Sequence, residues 1–358
     1  MKELKLEFFV NQLTKIVAII LFNLVSLPVL YAQDYPTVTA QKGDGIYTIL
    51  RRNGLSPGEY MTEFLELNKG KIGKNNSVYV GQTYKLPIVK GGGSAPAPAS
   101  NTEVKSASSS SGKSMRNSLY GDKYENFKLV DSSLKGAIFY LVSGHGGPDP
   151  GAIGHLGNSL LCEDEYAYDV TLRLSKALEE RGAKVYMIIQ DKKDGIRDER
   201  ILKPDKDEVC YPGNAIPRSQ ISRLRQRKDA VNKLYSANKG QFQRLVVIHV
   251  DSRSKGENID VFFYHDKRSK TGKKLAWNLQ QTFKEKYDYH QPNRGYNGTV
   301  SSDRGLYMLK YSYPAAVFIE LGNINHGRDQ QRFMMENNRQ ALANWLCDGL
   351  IKDFNNNK

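Results

Sequence analysis

Runs of apolar residues of strand length, at 137–142, 183–189, 245–250, 259–264 and 315–321, alternate along the second half of the chain with longer stretches of helical periodicity. Nearly continuous apolarity marks strands that are covered on both faces. Between the runs, Ala167, Val170, Thr171, Leu174 and Leu178 fall on one helical face, as do Ile221, Leu224, Val231 and Tyr235. Leu342, Trp345, Leu346 and Leu350 do the same in the last helix. Strand and helix in repetition predict a doubly wound, mostly parallel α/β sheet with helices on both faces.

The first half patterns differently. Residues 37–40 alternate like a short strand, and Gly43-Asp44-Gly45 makes a turn whose Asp44 can cap a helix. Ile46, Ile49 and Leu50 share one helical face, Gly54 closes that helix, and Met61, Phe64 and Leu65 give a second face. Residues 78–86 return as a strand, so the predicted order is strand, helix, helix, strand. Ahead of this module, Lys2, Lys5 and Lys15 precede an apolar run at 16–30 that ends in Leu30-Tyr31-Ala32. That is the layout of an export signal cleaved after Ala32; an uncleaved membrane anchor is the other reading of the same run, which Asn23, Ser26 and Pro28 interrupt. Between the halves, Gly91-Gly92-Gly93-Ser94-Ala95-Pro96-Ala97-Pro98-Ala99 and the serines at 108–111 carry too little apolar surface to offset the entropy of folding. The expected organisation is a signal peptide over 1–32, a small module over 36–88, a flexible linker over 89–133 and a catalytic domain over 134–358. Order is expected to resume between Tyr120 and Gly136.

The 358 residues carry a formal charge of +14, which suits work on anionic material such as a cell-wall polymer, a membrane surface or nucleic acid. The absence of a basic helix or an aromatic RNA-binding signature, together with export, excludes nucleic acid as the expected target. A merely solvated basic surface is the plainer alternative. Three cysteines, Cys162, Cys210 and Cys347, are too few for a disulfide-framework fold, although an exported protein can oxidise one pair.

In doubly wound sheets ligands gather beyond the carboxyl ends of the strands. Here the first strand of the sheet runs into Ser143-Gly144-His145-Gly146-Gly147, another ends at Ile248-His249-Val250-Asp251, and Glu163 opens a helix after a glycine-containing loop. Two imidazoles and one carboxylate suit a catalytic zinc ion, which keeps a coordination position for water. Asp149 and Glu165 are rival or supporting oxygen donors. The last strand ends at Phe318-Ile319-Glu320-Leu321-Gly322, where a carboxylate after an apolar run needs a charged partner such as a metal. His155 is an outside candidate ligand; His265, His290 and His326 read as surface or loop residues.

Two family resemblances bear on these residues. Lys42-Gly43-Asp44, Asn68 and Val80-Gly81-Gln82-Thr83-Tyr84-Lys85-Leu86-Pro87 resemble the LysM family, which implies a βααβ fold that binds N-acetylglucosamine-containing glycans in a shallow groove beside its first helix. The module departs from that family at Gly45, where a threonine is common, and around Gly58-Glu59-Tyr60, a small insertion. The second half resembles the zinc-dependent N-acetylmuramoyl-L-alanine amidases. The matching motifs are His145-Gly146-Gly147 with Asp149-Pro150-Gly151-Ala152, Glu163 opening its helix, Arg227 and Asn232, Ile248-His249, and the strand through Glu320 with Asn325. The resemblance implies that His145, Glu163 and His249 ligate Zn2+, that Glu320 is the catalytic acid and base, and that peptidoglycan is the substrate, cut in the periplasm or cell wall. An activator protein is a further partner the resemblance brings into view.

Three features depart from that pattern. Val142-Ser143 stands where the family usually has Asp-Pro, which removes a carboxylate that could support the first ligand strand. Val250-Asp251 follows the second histidine in place of a small residue and asparagine. Residues 192–217 form a long, charged excursion that reads as a lid, a selectivity element or an inert surface loop. Cys162 beside a proposed ligand and Cys210 in that excursion suggest a disulfide pinning the two together. A wall-binding scaffold or activator that has lost activity, and another zinc hydrolase of the wall, remain the competing functions.

Overall fold

The computed structural model describes residues 35–41, 44–53, 55, 57–73, 77–88, 114–252, 259–291, 294–302 and 305–357. The proposed signal peptide, Lys42-Gly43, Gly54 and the Gly/Pro/Ser tract lie outside the described residues. The chain divides into two compact units, 1–105 and 106–358.

In the first unit, β1 (Thr37–Thr39), α1 (Ile46–Arg52), α2 (Pro57–Leu67) and β2 (Thr83–Lys85) follow in the order the pattern predicts. The two strands pair antiparallel, Val38 opposite Tyr84. Ile49, Leu50, Phe64 and Tyr84 fill the core beneath them. The returning strand is shorter than expected because only three residues find a partner in β1. Asn68 explains how so small a unit holds its end strand: its buried amide donates to the carbonyls of Phe64 and Lys85 and accepts the Lys85 N–H at 2.7 Å. It thereby joins the end of α2 to β2.

The second unit begins earlier than the composition suggested. β3 (Ser114–Arg116) and β4 (Asn126–Lys128) pair antiparallel, and Tyr120 and Phe127 are buried in the main core, so residues 114–133 belong to the folded unit and not to a linker. Among the described residues a six-stranded sheet follows. Its strands are β5 (Ala137–Ser143), β8 (Lys184–Met187), β12 (Phe242–Asp251), β13 (Phe262–His265), β14 (Val300–Ser302) and β15 (Ala315–Asn323). They lie in the order β14-β13-β15-β12-β5-β8, and β5, β8, β12 and β15 run parallel while β13 opposes β15. The predicted apolar run at 259–264 therefore supplies an antiparallel strand, which makes the sheet mixed but mostly parallel.

Alternate residues of the strands feed two cores. Phe139, Leu141, Val246, Ile248, Val317 and Ile319 meet α3 (Glu163–Glu179), α5 (Lys270–His290), α7 (Gly327–Met334) and α8 (Glu336–Asn355). Tyr140, Val142, Leu245, Val247 and Phe318 meet α4 (Gln220–Ala237) and α6 (Tyr307–Tyr311) on the other face. Helices cover both faces, as continuous apolarity requires. No helix among the described residues is long and apolar enough to cross a membrane.

An ionic knot ties α3 to α8 and to the 192–217 excursion. The fully buried Asp169 accepts from Arg173 Nε at 2.8 Å, from Arg339 Nε at 2.6 Å and from the Arg197 backbone N–H at 2.8 Å. Removing one member of such a group strands the others without compensation. We predict that Asp169→Ala lowers the stability of the second unit by about 3–5 kcal/mol in urea denaturation; a loss under about 1 kcal/mol would contradict this role for the knot.

Candidate metal centre and active site

The site is built where β5, β12 and β15 end. β12 lies between the other two in parallel register, with Ile248 beside Ser143 and His249 beside Glu320. His249 and Glu320 fall on the same pleat face as Val247 and Phe318, so both side chains leave the sheet on the same side. Directly after β5 the backbone turns sharply, and His145 sits at φ 60, a left-handed conformation that costs a non-glycine residue on the order of 1 kcal/mol. That turn swings its imidazole back over the end of β12.

Glu163 reaches the same point from the first residue of α3. Its carboxylate is buried at 4 % exposure and accepts four contacts. Oε1 lies 2.8 Å from His249 Nδ1 and 3.1 Å from the Val250 N–H; Oε2 lies 3.3 Å from His145 Nε2 and 2.8 Å from the Ala152 N–H. The two imidazole centroids are 4.9 Å apart and nearly perpendicular, and the ligand atoms of His145, Glu163 and His249 lie within 4.8 Å of one another. Phe318 stacks on the His249 ring at 4.4 Å and fixes its plane.

Asp149 holds His145 from behind. Its Oδ2 is 2.9 Å from His145 Nδ1, and the Arg223 guanidinium grips the same oxygen, while Arg227 donates to the His145 carbonyl. Asp149 thus holds the His145 ring from behind and does not enter the trio of His145, Glu163 and His249. Burial pulls the His145 imidazole down, but the Asp149 and Glu163 carboxylates beside it prevail and raise it to about 10. Burial pushes Glu163 up, yet the two imidazoles hold it well below the usual carboxylate range. The hydrogen bond to His145 brings Asp149 down to about 2. His249 is lowered, chiefly by burial.

Two glycines leave the space this arrangement needs. A Cβ at Gly144 would sit 2.4 Å from the His249 ring, and one at Gly151, where φ is +68, would meet Glu163 Oε2 at 2.6 Å and the His145 ring at 2.7 Å. Neither position tolerates a side chain without moving a member of the trio.

Other candidates fall elsewhere. Glu165 points away, with Arg197 Nη2 2.8 Å from its Oε2 and the Asp205 N–H 2.9 Å from its Oε1. His155 is exposed on the hairpin of β6 (Ile153–Leu156) and β7 (Ser159–Cys162). His265 is not a surface residue: it is buried in β13, 3.0 Å from the Asp266 carbonyl. Asn232 clamps α4 to the chain entering β15, donating to the Tyr311 carbonyl and accepting the Tyr313 N–H. Cys162 and Cys210 are both buried and free, Cys162 at the end of β7 and Cys210 in the core beneath α4, which corrects the expected disulfide.

The excursion at 192–217 is tied down along its length. β9 (Ile189–Gln190), β10 (Val209–Cys210) and β11 (Asn214–Ala215) form a small antiparallel sheet, Arg197 binds Glu165, and the Glu208 carboxylate accepts the Gly147 N–H at 2.6 Å in the turn after His145. It is a fixed wall beside the site.

Residues 140–352 match the sequence profile described as N-acetylmuramoyl-L-alanine amidase, well over half of the chain. The chain belongs to the N-acetylmuramoyl-L-alanine amidase family. Its reaction class is hydrolysis of peptidoglycan. It is similar to the germination-specific N-acetylmuramoyl-L-alanine amidase of Bacillus subtilis (strain 168), with 23% identity over 238 residues, covering 64% of this chain and 85% of that protein. Among solved structures it is similar to the CwlD amidase from Clostridioides difficile in complex with the GerS lipoprotein, at 20% identity and a TM-score of 0.45 over 61% of this chain and 98% of that one. The amidase AmiC2 of Nostoc punctiforme gives 18% identity and a TM-score of 0.44 over 62% and 99% of the two chains.

The crowding at Gly144 yields a direct test in this amidase. Gly144→Ala displaces the His249 ring, and peptidoglycan clearing by the purified variant is expected to fall by roughly 100-fold, with a loss of about 1–3 kcal/mol in stability from the crowding. Unchanged clearing would show that the ring position does not matter.

Proposed function

We propose that the second unit cuts the amide between N-acetylmuramic acid and L-alanine with a zinc ion held by His145, Glu163 and His249, and with Glu320 as acid and base. The observation that carries this reading is the convergence of two imidazoles and one buried carboxylate, from three separate elements, within 4.8 Å. The donor set fits the ion: nitrogen and oxygen ligands in the numbers of a catalytic zinc centre, with the rear nitrogen of His145 held by a carboxylate, the usual support for a zinc-bound imidazole. Zinc, when bound, supplies Lewis acidity to the scissile carbonyl and makes water a better nucleophile.

The protein's own residues account for the rest. Glu320, next to His249 in the sheet register, accepts the proton of the attacking water and returns it to the departing nitrogen. That return is required because an alanine nitrogen cannot leave as an anion. Asp149 and Arg223 keep His145 in one tautomer and orientation, and Phe318 keeps His249 in plane. The products are a glycan strand without its stem and a peptide that begins with L-alanine.

The first unit acts, in this reading, as a LysM-like module that docks the enzyme on glycan. Its strand-helix-helix-strand order and its Asn68 clamp support that role. The Gly/Pro/Ser tract tethers the two units and raises the effective concentration of the enzyme near its substrate. Residues 1–32 direct export, which places the work in the periplasm or cell wall, and an activator protein is a further partner to test. Retention of a complete ligand set and of Glu320 favours an active enzyme over a scaffold, and Asp149 answers the departure at Val142-Ser143.

Digestion of purified peptidoglycan tests the proposal. The mature protein should release stem peptides beginning with L-alanine, and a chelator should abolish release. Glu320→Gln should keep its zinc and lose about 10²–10⁴-fold in rate. Release of acetate or of internal peptide fragments would assign a different hydrolase. Asp149→Asn should weaken zinc binding by about 10–100-fold in a competitive chelator titration, with little change in stability; parental zinc affinity would remove Asp149 from the support of the site.

A further inference from the structure

Behind the histidine site lies a second group of acids that the hydrolytic reaction does not use. Asp164 and Glu165, in the first turn of α3, meet Glu208, brought by the excursion just before β10. Their exposures are 2 %, 2 % and 6 %, and their ligand atoms lie within 4.8 Å of one another. Asp191, Asp205 and Glu208 form an overlapping trio at the same spacing.

Like charges at this distance, taken out of water, repel strongly unless something positive lies between them. Among the described residues, the ion pair recorded to these carboxylates is that of Arg197 with Glu165. Glu208 accepts the Gly147 N–H, and Glu165 also accepts the Asp205 N–H. Asp164 is the exception: Oδ1 accepts only the N–H of the next residue, at 3.0 Å, and its buried Oδ2 has no hydrogen-bond partner. A buried, unpartnered carboxylate oxygen facing two further carboxylates is an acceptor waiting for a ligand.

We propose that Asp164, Glu165 and Glu208 form a cation site, distinct from the histidine centre, for a hard divalent ion of the calcium class. The donors are all oxygen, with neither imidazole nor thiolate, which selects calcium or magnesium over zinc; acids drawn from a helix start and a loop, not from one rigid element, suit the larger and more adaptable calcium shell. The ion clasps the 192–217 excursion to the start of α3. Because Glu208 also holds the Gly147 N–H, the clasp steadies the turn that carries His145 and sets the neighbouring wall of the active site.

The test uses the full mature chain saturated with zinc, titrated with calcium chloride, and in parallel with magnesium chloride, by calorimetry and by thermal unfolding. One calcium ion binds per chain beyond zinc, with a dissociation constant on the order of 10⁻⁴–10⁻³ M as in extracellular modules, and 10 mM calcium raises the melting temperature by several degrees. Asp164→Asn and Glu208→Gln each weaken calcium binding by about tenfold or more and unfold at a higher temperature than the parent when no calcium is present, because each relieves the repulsion. His249→Ala keeps the calcium response. No divalent binding beyond zinc, a calcium response that survives both carboxylate variants, or its loss in His249→Ala would each overturn the proposal.

Discussion

A carboxylate buried at the start of a helix must find positive charge, and the active centre is organised by how Glu163 finds it. Two imidazoles and two backbone N–H groups surround it, His145 and the Ala152 N–H from the loop after β5, His249 and the Val250 N–H from the end of β12. The four can meet only if β5 and β12 end side by side and α3 starts above them. Parallel strand order supplies that, because parallel neighbours deliver their carboxyl ends to one edge. The sharp turn at His145 and the bare positions at Gly144 and Gly151 are local consequences of packing four groups around one acid. So is the support of Asp149, since an imidazole that faces Glu163 with one nitrogen needs a partner for the other.

Much of this was legible in the chain. The buried strands announced themselves as unbroken apolar runs, and their alternate residues now divide between two cores, as a doubly covered sheet demands. That His145, Glu163 and His249 would converge, with Glu320 beside His249 in register, could be read because each stands at the end of an element, where a doubly wound sheet concentrates chemistry. Other features required three dimensions. Asp149 is four residues from His145, and only the course of the turn shows whether it competes for a ligand or supports one. The pairing of 114–116 with 126–128 escaped notice because its apolar residues, Met115, Tyr120 and Phe127, are too scattered to show a period. His265 looked like a loop residue since a single histidine at the end of a short strand carries no sign of its burial.

The excursion at 192–217 shows the limit of reading composition alone. Its charge and its glycine and proline content read as a lid, a selectivity element or an inert loop, yet two of those charges anchor it, Arg197 on Glu165 and Glu208 on the Gly147 N–H, and the Arg197 backbone N–H adds a bond to Asp169. A charged segment packs as firmly as an apolar one when each buried charge meets an opposite charge or a backbone dipole. Where that pairing is incomplete, at Asp164, a buried oxygen is left open to a further ligand. The proposed disulfide rested only on compartment and closeness in the plan of the chain, and Cys162 and Cys210 are both free.

In the proposed function, His145, Glu163 and His249 converge to hold zinc. Crystals of the protein grown with stoichiometric zinc, with diffraction measured on both sides of the zinc absorption edge, test it most directly. One strong anomalous peak is expected, with His145 Nε2, His249 Nδ1 and a Glu163 oxygen each at roughly 2.0–2.2 Å. A peak placed only among Asp164, Glu165 and Glu208, or none at the histidines in zinc-saturated crystals, would contradict it.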